Sequence, residues 1–275
     1  MAEEPKQAAA TSMIAAIALR LTARAILGNR FAASLLHSIR GKLTDLEDSL
    51  IKVIASGRLD QVTQSAAIRN RKGLIVNAAT DEITGAYQDI TRLVADDLDA
   101  LVPVEIAATR KIMTAEAQGL GVDFFASAPT TASLNALDAE NMVGGLSISD
   151  LWEKQEQQLV AAFTREMNLG VQAGETIDGL VKRVTGGGTP TAPVKGIMPG
   201  QVNNARAIAD SSVHATQNNA RNSVYEANAG LFDIVTHLSV LDNKTSLICL
   251  ARAGMSWDAV TKAPIKPNRF PFAIP

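Results

Sequence analysis

The sequence predicts a mainly α-helical protein that ends in a small α+β module. Three observations carry this. Only 4% of the 275 residues are aromatic, and aromatic and β-branched side chains are the ones that favour strands. Alanine, the strongest helix former, is plentiful. Two long segments place apolar residues at alternating steps of three and four, the spacing of a heptad seam.

Residues 1–11 read as a disordered, solvated tail, and 12–185 as a helical scaffold. Leu36, Ile39, Leu43, Leu46, Leu50 and Val53 form the first seam on one helix face. Ser56-Gly57 ends that run, and Asp60 is a candidate N-cap for the next helix. Val76, Ala79, Ile83, Ala86, Ile90 and Leu93 form the second seam. Pro103 ends or kinks this helix, and a third piece runs from Val104 to about Gln118. After Gly119-Leu120-Gly121, residues 122–133 read as a loop with a buried Phe124-Phe125 plug. Ser147 and Asp150 have capping-box spacing. Behind them Ile148, Leu151, Trp152, Leu159, Phe163 and Met167 line one face of a helix ending near Gly170. A short helix from Thr176 to Val184 follows the turn at Gly174-Glu175.

Residues 186–200 hold five glycines and three prolines and read as a linker. Residues 201–275 read as the α+β module. A polar helix spans Gln201 to Asn228. Two short apolar runs, Val235–Leu241 and Ser246–Leu250, read as neighbouring strands joined by a turn at Asp242–Thr245. The tail carries Pro264, Pro267, Pro271 and Pro275, so it cannot pair as a central strand. Its Phe270 and Phe272 are expected to pack on the module or on a partner.

Charge and cysteine content narrow the function classes. The 26 basic and 28 acidic residues give a net charge of −2, which excludes a histone-like polycation. Hydrophobic residues make up 47%, enough to argue against wholesale disorder. The single cysteine, Cys249, excludes an internal disulfide and any paired-Cys zinc site. No run of 18 apolar residues exists, so no membrane span is expected, and the acidic start of the chain lacks signal-peptide character.

Chemistry-bearing patterns are sparse. Gly186-Gly187-Gly188 lacks the Lys-Ser/Thr of a phosphate-binding loop, and no Gly-x-Ser-x-Gly elbow is present. Zinc would want about four ligands, and only Cys249, His237, Asp242 and His214 are candidates. Cys249, inside an apolar run, reads more simply as a small buried hydrophobe. No catalytic residue, metal or cofactor is expected. One charged feature stands out. Arg20, Arg24, Arg30, Arg40 and Lys42 form a basic block with no acid between Ser12 and Lys42. Such a block can track a DNA phosphate backbone. It can equally face the acidic zone of Asp89, Asp96, Asp97, Asp99 and Glu105 in this same chain. The heptad seams likewise either close an intramolecular hairpin or pair with a second copy.

A resemblance goes further. Three stretches between Phe163 and Trp257 carry it. The first is Gly170-x-x-x-Gly174-Glu175-Thr176-Ile177 with Lys182-Arg183-Val184. The second is the polar helix with Ala215, Asn218, Ala220, Arg221, Tyr225 and Asn228. The third is Ser239-Val240-Leu241-Asp242-x-x-Thr245-x-x-x-Cys249-x-x-x-x-Gly254. In order and spacing these resemble the bacteriophage minor head protein family, also called head-morphogenesis or Mu F-like. The likeness spans about 95 residues. The chain departs from the family pattern in having Asp210-Ser211-Ser212 where Arg-Thr-Glu is usual, Ala253-Gly254 where Asp-Gly is usual, and no His-x-x-Cys segment.

The resemblance implies a structural virion protein, assembled in the host cytoplasm and located in the capsid interior or at the portal vertex. It implies portal or major capsid protein as partner, with Asn218, Arg221, Asp242, Thr245, Cys249 and Gly254 as structural motif positions. The rival readings are an internal DNA-contacting protein ejected with the genome, carried by the basic block, and a hydrolase or toxin-like enzyme.

Overall fold

A computed structural model describes residues 4–59, 65–119, 121, 123–130, 142–143, 145–189, 192–229, 234–236, 256–258 and 264–265. Among them are five α-helices: α1 (Glu4–Ser56), α2 (Ser65–Gly119), α3 (Ile148–Gln172), α4 (Ile177–Thr185) and α5 (Met198–Ala227). The protein is mainly helical, as its composition predicts.

Helices α1 and α2 form an antiparallel hairpin. Three ion pairs set its register: Lys42–Asp89 at 3.0 Å, Arg24–Glu105, and Arg20–Glu116 at 2.5 Å. Partner numbers fall along one helix as they rise along the other. At about 1.5 Å per residue each helix is roughly 80 Å long. The first seam lies in the core: Leu36, Ile39, Leu43, Leu46 and Leu50 are buried. Its last position shifts from Val53, which is only partly buried, to Ile54.

The second seam is right in part. Ala79, Ile83 and Ile90 are buried, while Val76, Ala86 and Leu93 only flank the core. Ile75, Tyr87 and Val94 are buried beside them. Helix α2 packs against α1, α3 and α5, so its buried face is wider than a two-helix seam.

The capping box forms as the spacing predicts. Ser147 Oγ accepts from the Asp150 N–H at 3.0 Å, and Asp150 Oδ2 accepts from the Ser147 N–H at 3.3 Å. Behind it Trp152, Leu159, Phe163 and Met167 are buried. Trp152 sits against Tyr87, with ring centroids 6.4 Å apart, and the Tyr87 hydroxyl lies 3.2 Å from Gln201 Oε1 and donates to it. Helices α2, α3 and α5 therefore share one buried aromatic centre.

The structure corrects four expectations. Helix α1 starts at Glu4, so 4–11 are helical where a disordered tail is expected. Helix α2 runs through Pro103 to Gly119 without ending; Pro103 is exposed, so the hydrogen bond its ring deletes is lost on the solvent side. Phe125 is 71% exposed and only Phe124 packs inward.

The fourth correction concerns 186–200. Gly187–Thr189 (β3) and Ala192–Val194 (β4) pair antiparallel, and α5 starts at Met198. Met198, Ala205, Ile208, Ala209 and Val213 join the same core as Leu35 and Leu159. The segment links no separate module; α5 completes the helical body.

Two other strand sets exist. Met142–Val143 (β1) pairs with Leu146–Ser147 (β2). Ile234–Thr236 (β5), Ser256–Asp258 (β6) and Pro264–Ile265 (β7) form an antiparallel set in the order β5-β6-β7. The described partner of β5 is β6. The expected pairing with 246–250, the turn 242–245, and Phe270 and Phe272 lie outside the described residues, as does Asp60.

Candidate functional site

The basic block does not act as one surface. Arg24 contacts Glu105, Lys42 contacts Asp89, and Arg20 contacts Glu116. Arg30 and Arg40 are exposed and form no ion pair among the described residues. The acidic zone of α2 therefore takes up charge from α1. Among the resemblance positions, Asn218 is exposed on α5 and Arg221 is half-buried. Asp242, Thr245, Cys249 and Gly254 lie outside the described residues, and so does His237. His214 is exposed on α5.

The densest polar arrangement is a node on Glu105, whose side chain is fully buried. Its Oε1 accepts from Arg221 Nε at 2.6 Å and from Arg24 Nε at 3.5 Å. Its Oε2 accepts from Arg24 Nη2 and from Gln217 Nε2, the latter at 3.3 Å. One carboxylate thus ties α1, α2 and α5. Burial pushes its pKa up, but the hydrogen bonds and charges of Arg24 and Arg221 outweigh that and hold it below the ordinary value of 4.5. Gly28 makes the node possible: a Cβ there would stand 2.2 Å from Gln217 Oε1. Two guanidiniums on one carboxylate leave a surplus positive charge, and Arg221 Nη2 is buried with no hydrogen-bond acceptor. One turn on, the Tyr225 hydroxyl has its pKa raised, chiefly by burial.

A second construction is the corner between α3 and α4. Gly170 is buried, and a Cβ there would meet Leu180 Cδ2 at 2.3 Å. Gly174 takes φ +69, a left-handed turn that favours glycine. Thr176 caps α4 by accepting from the Gly179 N–H at 3.2 Å. Arg183 returns across the turn to Glu175 through two bonds of 2.8 and 2.6 Å, and reaches Glu166 at 2.7 Å. The hydrogen bond from Glu175 is the main reason the Arg183 pKa is raised, and the same bond lowers that of Glu175. The Arg183 carbonyl then accepts from the Ile197 N–H at 3.2 Å, joining the corner to the start of α5.

The third is a clip at the far end of α5. Asn228 Oδ1 accepts from the Ser127 N–H at 2.8 Å, and Nδ2 donates to the Ser127 carbonyl at 3.1 Å and the Val224 carbonyl at 2.7 Å. Arg110 Nε donates to the Ala126 carbonyl at 2.9 Å, and Thr114 Oγ1 accepts from the Ala126 N–H at 3.1 Å. The loop 123–130 is thereby fastened to both α2 and α5.

Two of the resemblance stretches thus have concrete physical jobs. Gly170, Gly174, Glu175, Thr176 and Arg183 build the corner; Arg221 and Asn228 tie α5 to the hairpin and its loop. Sequence reasoning placed Arg24 and Glu105 in opposite charge zones but not in one node with Gln217 and Arg221. Residues 24, 105 and 221 carry no local spacing signal that could unite them.

Among the described residues, no helix is long and apolar enough to cross a membrane. Comparison with protein-family profiles, curated proteins and solved structures gives no match for this chain.

Proposed function

We propose that this chain is a structural virion assembly protein, a minor head component that binds the portal or procapsid interior during bacteriophage head morphogenesis. It acts by binding. The helical body supplies a rigid docking surface, held at its corner by Arg183 and at its node by Glu105.

The observation that carries this reading is the corner. Residues 170–184, the first stretch of likeness to the minor head family, form a self-consistent turn in which each characteristic residue has a partner: Gly170 with Leu180, Glu175 with Arg183, and Thr176 with the Gly179 N–H. That coherence supports treating the likeness as one of structure. The engagement of Arg20, Arg24 and Lys42 by α2 carboxylates favours protein docking over genome contact.

The test is co-expression with the portal protein of the same phage. Co-elution of the two as one complex is expected. Elution of the chain apart from the portal, at concentrations where portal rings form, rejects the portal as its partner.

A further inference from the structure

The Gly/Pro-rich segment 187–195 leaves the body and returns to the point it left. Gly186 and Gly196 form the base of this excursion. A Cβ on Gly196 would stand 2.2 Å from the Gly186 N, 2.4 Å from the Thr185 carbonyl carbon and 2.6 Å from the Val184 carbonyl oxygen. These are backbone atoms, so the two chain passes touch and only glycine fits at position 196. A Cβ on Gly186 would in turn stand 3.2 Å from the Gly196 N. The base is stapled by the Ile197 N–H to Arg183 carbonyl bond. None of the described residues from Gly187 to Lys195 belongs to the hydrophobic core.

The arm between these ends is a two-stranded hairpin in which Gly187 faces Val194, Gly188 faces Pro193 and Thr189 faces Ala192. Pro193 has no N–H, so Gly188 and Pro193 form a non-hydrogen-bonded pair between two hydrogen-bonded ones. Two consequences follow for the edges. The outer edge of β4 presents a carbonyl at Pro193 and no donor. The outer edge of β3 presents both the N–H and the C=O of Gly188, with no side chain in the way. An isolated two-stranded hairpin is at best marginal in water, and an open edge that offers donor and acceptor is a template for a third strand.

Charge selects the kind of strand. The foot of the arm carries exposed Lys195. The Lys182 side chain passes 3.7 Å from where a Gly187 Cβ would lie. Pairing of two copies edge to edge across a two-fold would bring these lysines together, and edge lysines disfavour such pairing. An acidic strand is matched to them.

We infer that residues 187–195 are a partner-binding arm, dispensable for folding, whose β3 edge accepts an extended acidic segment of another polypeptide as a third strand. This goes beyond the head-assembly reading and does not depend on it.

Two measurements test the arm. In the first, residues 187–195 are excised and Gly186 is joined to Gly196 through one glycine. Unchanged helicity and melting temperature are expected; a collapsed fold or lowered melting temperature makes the arm a structural element and overturns the inference. In the second, the intact ¹⁵N-labelled protein is titrated with an alternating Thr-Asp hexapeptide at about 1 mM, with the Thr-Lys hexapeptide as control. The expected result is a saturable shift of the Gly188 amide with the acidic peptide alone, and no response in the excised chain or in a Gly188→Pro variant at the neighbouring Gly187 amide. No shift at Gly188, or equal shifts with both peptides, overturns the proposed edge. Concentration-dependent broadening without peptide identifies self-pairing and also overturns it.

Discussion

Replacing Glu105 with alanine leaves Arg24 and Arg221 facing each other across a buried space with no anion between them. In the wild type both oxygens of Glu105 are used, by Arg24, Arg221 and Gln217, and no part of the side chain reaches water. Removing one partner of a buried ion pair costs about 3–5 kcal/mol, because the remaining charge is stranded in low dielectric. At roughly 2–4 °C per kcal/mol for a chain of this size, the melting temperature falls by about 6–20 °C.

Replacing all three charges together, as Arg24→Met, Glu105→Leu and Arg221→Met, removes the desolvation penalty as well. That variant should range from neutral to about 4 kcal/mol more stable. Thermal melts followed by far-ultraviolet circular dichroism at pH 7 read both variants.

Acid gives an independent check with a fixed sign. The Glu105 pKa in the fold lies below its ordinary 4.5, so its stabilisation is fully present above the unfolded value. It is lost as pH falls from there through the folded one. Glu105→Ala should therefore depend less steeply on pH below about 4.5 than the wild type. A Glu105→Ala protein that melts within about 2 °C of wild type would refute the reasoning.

Four further outcomes follow from named contacts. Leu46→Ala and Leu50→Ala, at seam positions 3% and 0% exposed, should each cost about 2–5 kcal/mol in urea titrations; a double variant that unfolds like wild type would remove the hairpin seam from the account. Gly196→Ala forces a Cβ onto the backbone of residues 184–186 and should cost about 1–3 kcal/mol or more, whereas Gly200→Ala, with nothing within 4 Å in the same helix, should be neutral or up to about 1 kcal/mol stabilising. Asn228→Ala releases the Ser127 clip and should cost about 1–3 kcal/mol, with faster hydrogen exchange at the Ser127 amide as the local readout. Any binding to duplex DNA should show a log–log salt slope no steeper than about −2, since only Arg30 and Arg40 of the block are uncommitted; a slope near −5 would mean that Arg20, Arg24 and Lys42 leave their α2 partners for phosphates.

Much of the helical body is written locally. Leu36 to Leu50, Trp152 to Met167 and the Ser147–Asp150 box obey short-range periodicity and capping rules, and the fold uses them as expected. The errors arise where tertiary context decides. Tyr87 and Val94 enter the core because α2 serves three neighbours, which a two-helix pattern does not encode. Pro103 is tolerated because it faces solvent. The glycines of 186–200 read as a linker, yet Gly196 is there because two backbones touch, a contact between residues ten apart. The node is the least legible feature: Arg24, Glu105 and Arg221 meet only after α1, α2 and α5 have packed.

The central claim, that this is a minor component of a phage head, is tested most directly by quantitative mass spectrometry of purified procapsids and DNA-filled heads. The account predicts peptides of this chain in at least the procapsids, at a copy number comparable to the portal protein and far below the major capsid protein. Absence of the chain from both particles, with the portal protein detected in each, would contradict it.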